Sequence, residues 1–192
     1  MRTSALSAIT VSCLAGLLVL SVVGTAGGRV AVLTPSDMGI IQNPGMPNDS
    51  RLLLRFEPPP ELREARVDLA VLEFTAAVSC PDNSPALTLD AFALTSSWDG
   101  QNVEWNQGWD TPGGDINRGV HALWTVAPSD SARIRFDVTD MMDGWLRVER
   151  DNCGLMTSIA RGEAGVFSPP YVDGGAVSTP KVTIWYTPRV AR

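Results

Sequence analysis

The sequence predicts an all-β fold, a jelly-roll-like antiparallel β-sandwich with one short helix. Short apolar runs of strand length recur along the chain, turn-forming residues separate them, and a single segment has helical periodicity. The chain has 192 residues, of which 44% are hydrophobic and 19% are charged. This size and composition indicate one globular domain.

The N-terminal segment is predicted to be a secretory signal peptide over residues 1–26. Arg2 is followed by an uncharged apolar stretch over residues 5–23 and then by small residues, which is the order typical of such peptides. Cleavage is expected after Ala26 and leaves a single domain over residues 27–192. An uncleaved membrane anchor is the alternative, because the apolar run is almost long enough to span a bilayer. Both interpretations predict export, to the periplasm or the extracellular space.

The predicted strands follow one another from residue 51 onward. Residues 52–56 form a short apolar run that ends before three consecutive prolines, which cannot donate hydrogen bonds to a sheet. Residues 66–74 alternate apolar and polar side chains with the period of a strand. Many short strands separated by turns are typical of a sandwich. Four later runs have strand length and are flanked by Gly, Pro, Asn or Ser: 87–94, 132–136, 154–159 and 181–187.

Residues 137–146 have the period of a helix instead. Their apolar side chains recur at i, i+3, i+4, i+7 and i+8, which places them on one helix face. Thr139 or Asp140 is the expected N-cap. The alternative is a structural calcium site, because Asp137, Asp140 and Asp143 offer the carboxylate oxygens that hard cations prefer. Their spacing is helical and differs from that of a calcium loop, so we predict the helix and no cofactor.

Charge and motif content exclude several classes of function. The net charge is −6, Lys181 is the only lysine, and the arginines are scattered, so no nucleic-acid partner is expected. His121 is the only histidine, and no Gly-x-Ser-x-Gly turn occurs, so the sequence offers no nucleophile machinery. The glycine pairs do not precede a phosphate-binding pattern. We therefore predict that the protein is not an enzyme.

The cysteines suggest a disulfide. Removal of the signal peptide takes Cys13 with it and leaves Cys80 and Cys153 in a compartment where a disulfide can persist. The alternative is two separate thiols that behave as small apolar side chains.

Tryptophan is concentrated in the middle of the chain. Four of the six tryptophans lie within residues 98–124, among Asn, Gln and acidic residues. Flat aromatic faces beside amide and carboxylate groups can bind sugars. Large aromatic side chains also fill protein cores, so each tryptophan is either a ligand contact or a core residue.

Eight short motifs occur in order along the chain, at residues 52–56, 65–71, 95–98, 103–106, 136–140, 144–146, 152–155 and 180–186. In this order they resemble the DNRLRE domain family, which overlaps carbohydrate-binding module family 96, over about residues 37–187. The resemblance implies a jelly-roll sandwich that acts as a non-catalytic module in secreted or surface proteins. It also implies polysaccharide binding, since some members of the family bind acidic polysaccharides such as alginate. Cys153 departs from the pattern, because an aromatic residue is common at that position.

The resemblance divides the tryptophans into two sets. Trp98, Trp105 and Trp145 match positions that the family pattern places in the core. The other three are the candidate ligand contacts: Trp109 and Trp124 lie outside the matched motifs, and Trp185 alternates away from its apolar neighbours in the strand.

Three arginines complete the predicted site, namely Arg118, Arg133 and Arg135, of which the last two share one strand face. A chain this acidic repels a polyuronate unless such side chains cluster, so a neutral glycan fits the sequence at least as well as alginate does. The sequence thus predicts a secreted, non-catalytic, polysaccharide-binding module. The alternative is a structural or adhesive surface module that acts through protein–protein contacts, because exposed aromatic and arginine side chains are also enriched at protein interfaces.

Overall fold

The computed structural model describes residues 28–81, 84–168 and 179–188. The predicted signal peptide lies outside the described residues. Within the described ranges, no helix is both long enough and apolar enough to cross a membrane. The chain forms these elements: β1 (Arg29–Leu33), β2 (Asp37–Asn43), β3 (Met46–Arg55), a 3-10 turn (Pro60–Leu62), β4 (Ala65–Ser79), β5 (Leu87–Leu94), β6 (Ile116–Val126), β7 (Ser129–Asp137), α1 (Thr139–Leu146), β8 (Leu155–Ile159), β9 (Val166–Ser168) and β10 (Lys181–Pro188).

Two five-stranded antiparallel sheets form an all-β sandwich, which confirms the predicted fold class. Sheet A has the strand order β1-β10-β4-β7, and β9 also pairs with β4. Sheet B has the order β2-β3-β8-β5-β6. The long strand β4 is the central strand of sheet A, because it pairs with β10, β7 and β9.

Alternation along the strands builds the main core between the two sheets. In β4, Leu72 and Phe74 point inward and are buried, whereas Val71 and Glu73 face outward and are half-buried. The ring of Phe74 packs against those of Phe136 and Phe167, with centroid distances of 6.4 and 6.3 Å. These three rings all belong to sheet A, and they lie in one buried cluster with side chains of sheet B, among them Leu52 and Leu89.

A second hydrophobic cluster covers part of the outer face of sheet B. Its buried members are Ile41, Leu53, Leu94, Trp98 and Met156. The connection between β5 and β6, here called the 95–115 segment, folds over these side chains and contributes Trp98, Trp105 and Trp109 to the cluster. Sheet B thus has apolar packing on both faces.

Arg51 of β3 anchors the 95–115 segment. Its guanidinium stacks on the Trp105 ring at 4.2 Å from the centroid and donates a hydrogen bond of 2.6 Å to the Gly113 carbonyl. Gly113 has a φ of +90°, and a Cβ there would lie 2.6 Å from the Arg51 guanidinium. Only glycine fits this position without displacing the arginine.

Asp115 fixes the other end of the same segment. Its carboxylate accepts hydrogen bonds from the Ser96 hydroxyl (2.7 Å) and from the backbone N–H groups of Asp110 (3.0 Å) and Thr111 (2.8 Å). Burial alone would raise the pKa of Asp115, but these hydrogen bonds outweigh burial and hold the pKa below its usual value.

We expect Asp115→Asn to lower the free energy of unfolding by about 1–2 kcal/mol at pH 7, because the amide cannot accept the same set of bonds. A depressed pKa means that the carboxylate stabilises the fold above the ordinary value of about 4 and loses this effect as the pH falls through the native pKa. Urea unfolding at pH 7 and at pH 3 measures both effects, and the difference between wild type and variant should shrink at pH 3. The control is Asp110→Asn, whose side chain makes no hydrogen bond or ion pair within the described ranges. An equal loss in both variants would contradict the role assigned to Asp115.

The helix forms where predicted, but its predicted cap is wrong. Val138 occupies the N-cap position of α1, and no side chain caps the helix there. The Thr139 hydroxyl instead accepts a 2.9 Å hydrogen bond from the backbone N–H of Ala70, and the Thr139 N–H donates to Asp137. Thr139 therefore attaches the helix to β4, and it is not the cap because it is already the first residue of the helix.

The predicted disulfide between Cys80 and Cys153 is absent, and both thiols are free. Cys80 directly follows β4, and the end of β4 lies beside Leu87, the first residue of β5. Cys153 lies at the opposite end of β5, because its neighbour Gly154 accepts a hydrogen bond from the N–H of Leu94, the last residue of that strand. A strand of this length separates its ends by roughly 20 Å, far beyond the reach of a disulfide. Burial raises the pKa of the Cys153 thiol, and the charge of Asp151 adds to the increase.

Candidate functional site

The outer face of sheet A presents an exposed aromatic ring beside a charged cluster. Trp185 of β10 is 40% exposed and points away from the core, as the alternation along the strand predicts. Its neighbours across the sheet are Leu69 of β4, which is also exposed, and Val30 of β1. Thr183 and Lys181 follow on the same face of β10, at steps of about 7 Å.

The charged cluster is centred on Glu73. Its carboxylate accepts a 2.8 Å hydrogen bond from Arg135 Nε and a 3.3 Å bond from Arg133, and Lys181 Nζ lies at 3.5 Å. Burial alone would raise the pKa of Glu73, but the bond from Arg135 and the three positive charges hold the pKa below its usual value. Three cations surround a single carboxylate, so the cluster is positive on a chain with net charge −6.

A cleft of about 470 Å³ adjoins this cluster. It is lined by residues of β4, β6, β7 and β10, among them Glu73, Trp124, Arg135, Asp137, Thr183 and Trp185. The structure thus brings together three of the predicted site residues, Trp124, Arg135 and Trp185. Arg133 joins them through Glu73.

Trp124 reaches the cleft from sheet B. It is half-buried, and its inner side packs against the main core. Its Nε1 is buried and has no hydrogen-bond partner within the described ranges. The expectation of a freely exposed ring therefore holds for Trp185 but not for Trp124, which forms part of the wall of the cleft.

The other two predicted residues lie on other surfaces. Trp109 is half-buried on the second cluster, and its indole N–H donates a 2.9 Å hydrogen bond to the Glu104 carbonyl. It lines a separate pocket of about 380 Å³ together with Trp98, so its packing stabilises the 95–115 segment. Arg118 lines a groove on the outer face of sheet B. The six predicted residues are thus divided among three surfaces.

The residues that sequence reasoning missed are those that complete the charged face of sheet A. They are Glu73, Asp137 and Lys181, whereas Thr183 was expected on the same strand face as Trp185. Lys181, Thr183 and Trp185 alternate within one strand, and this period was a usable signal. The position of Glu73 between Arg135 and Lys181 depends on strand register, which the sequence alone does not reveal.

The acidic residues of the calcium alternative do not converge. Asp143 pairs with Arg147 at 2.8 Å, one helical turn away, and Asp137 accepts a hydrogen bond from Thr139. Within the described ranges, no group of three or more His, Cys, Asp or Glu side chains is placed to hold a metal ion.

The chain matches no model of a known protein family, and no curated protein is significantly similar to it. The resemblance to the DNRLRE family stays a prediction from the order of the motifs.

Proposed function

We propose that the protein is a non-catalytic module that binds a polysaccharide across the outer face of sheet A, outside the cytoplasm. The observation that carries this proposal is the exposed ring of Trp185 beside the positive cluster around Glu73. An aromatic face binds the C–H face of a sugar, and guanidinium and ammonium groups bind its carboxylates. An acidic polysaccharide therefore fits this surface better than a neutral one.

The layout of the face favours a polymer over a single sugar. Lys181, Thr183 and Trp185 stand in line on β10, and the first and last are about 13 Å apart. This distance exceeds the width of one sugar ring. Successive units of a chain would contact the ring of Trp185, the hydroxyl of Thr183 and the cations near Glu73 in turn.

We expect Trp185→Ala to weaken binding to alginate about tenfold, because it removes the aromatic contact. The free energy of unfolding should fall by about 1 kcal/mol, because the ring is 40% exposed and its covered part lies across from Leu69 and Val30. Affinity electrophoresis in alginate gels and in gels of the neutral glucan laminarin gives the comparison. Added salt should weaken retention by alginate, because it screens the charges.

The matched control is Ile40→Ala, which removes an apolar side chain of equal exposure, 41%, from sheet B. This variant should be retained like the wild type. Equal retention of Trp185→Ala and wild type would refute binding on this face.

A structural or adhesive module is the second candidate. Leu69 and Leu123 are exposed near Trp185, and an apolar surface flanked by arginines is also typical of protein interfaces. Failure of the folded wild type to bind any polysaccharide would favour this alternative.

A further inference from the structure

The part of sheet B that the 95–115 segment leaves open forms a groove of about 630 Å³. Asp90 and Phe92 of β5 and Ser158 of β8 lie along it. Arg118 of β6 and Arg161 of the turn after β8 also line it. The groove and the face around Trp185 are on opposite sheets of the sandwich and share no residue.

Asp90 is the unusual residue of this groove. It is only 8% exposed, and its carboxylate has no hydrogen-bond or ion-pair partner within the described ranges. Burial raises the pKa of Asp90, and the charge of His121 opposes this increase only in part. A carboxylate that is largely shielded from water and has no hydrogen-bond partner lowers the stability of a fold, so its position at the surface of a cavity points to a role in binding.

The arginines of the groove differ in their availability. Arg51 is already held by Asp49 at 3.5 Å, by the Gly113 carbonyl and by the Trp105 ring. Arg118 and Arg161 are exposed and form no ion pair within the described ranges. The groove therefore offers two available guanidinium groups to an anion.

Two further acidic residues, Asp49 and Glu163, line the groove. Asp49 pairs with Arg51, whereas Glu163 keeps its charge and accepts a hydrogen bond of 3.3 Å from the Thr88 N–H. A metal ion or an amine at Asp90 would meet the positive charges of Arg118 and Arg161. A ligand with hydroxyl donors and an anionic group satisfies both kinds of side chain.

We propose that the groove is a second binding site, which takes a single sugar unit that carries an anionic group. The sugar hydroxyls donate hydrogen bonds to Asp90, and its anionic group binds Arg118 or Arg161. Its C–H groups contact the part of the Phe92 ring that His121, stacked on that ring at 5.6 Å between centroids, leaves open. A carboxylate and a phosphate are equivalent in this chemistry, so a sugar acid and a sugar phosphate are the two possible sources. The site does not depend on polysaccharide binding at sheet A.

The experiment is an NMR titration of the intact domain with glucuronate, glucose 6-phosphate and glucose. We expect at least one of the two anionic sugars to shift the amide signals of residues 90–92 and 156–158, and glucose to bind at least tenfold more weakly. The anionic sugar that binds more tightly shows whether the natural ligand is a sugar acid or a sugar phosphate. Trp185→Ala should titrate like the wild type, which separates this site from that of sheet A.

Asp90→Asn should reduce the affinity for the anionic sugar at least tenfold and raise Tm by a few degrees, because it removes a buried, unpartnered charge. Arg118→Gln together with Arg161→Gln should reduce the affinity to that of glucose. The proposal is overturned if neither anionic sugar shifts these signals, or if Asp90→Asn binds like the wild type. A fall in Tm for Asp90→Asn would also overturn it, since it would show that the carboxylate supports the fold.

Discussion

Replacement of Trp98 by alanine is expected to lower the free energy of unfolding by about 3–5 kcal/mol, as is usual when a large buried aromatic side chain is truncated. Trp98 is only 8% exposed and belongs to the second cluster, together with Leu53 and Met156. Its indole N–H donates a 2.8 Å hydrogen bond to the Cys153 carbonyl, which the truncation leaves without this donor. Urea unfolding followed by tryptophan fluorescence measures the loss.

Trp98→Phe separates packing from hydrogen bonding. The ring is largely kept but the N–H is removed, so the expected loss is about 1–2 kcal/mol. Trp185→Ala is the control at a more exposed tryptophan and should lose only about 1 kcal/mol. A loss below about 1 kcal/mol for Trp98→Ala would mean that the 95–115 segment unfolds independently of the sandwich.

The second large effect is expected at Phe74, in the core between the sheets. Phe74→Ala should lower the free energy of unfolding by about 3–5 kcal/mol, because the cavity would lie among side chains that are fully buried. Its contacts with Phe136 and Phe167 join three strands of sheet A, so little collapse into the space is possible.

Phe74→Leu tests whether the effect arises from the cavity. This variant keeps most of the volume and should lose only about 1 kcal/mol. Thermal and urea unfolding should agree in the order wild type, Phe74→Leu, Phe74→Ala. Equal losses in the two variants would show that the aromatic contacts, and not the volume, determine stability at this position.

Local patterns predicted much of the fold. The strand predicted over residues 87–94 coincides with β5, and the helix predicted over residues 137–146 contains α1. Both segments have a clear period. By contrast, β6 was missed because Leu123, which is 57% exposed, stands beside the half-buried Trp124 and obscures the alternation.

The candidate sites were predictable only in part, because they depend on which strands become neighbours. The exposure of Trp185 follows from alternation within one strand. The cluster around Glu73 joins residues of β4, β7 and β10, which are far apart in the sequence. Asp90 left a local signal, since it is a single acidic residue within the apolar run of β5. Its burial without a partner appears only in the structure.

The position of β10 between β1 and β4 has a consequence for biosynthesis. The described strand nearest the N-terminus, β1, pairs only with the one nearest the C-terminus. Sheet A therefore cannot be completed while β10 is still inside the ribosome. Because such non-local pairing makes folding slow, the nascent chain must be kept from aggregating until β10 has emerged.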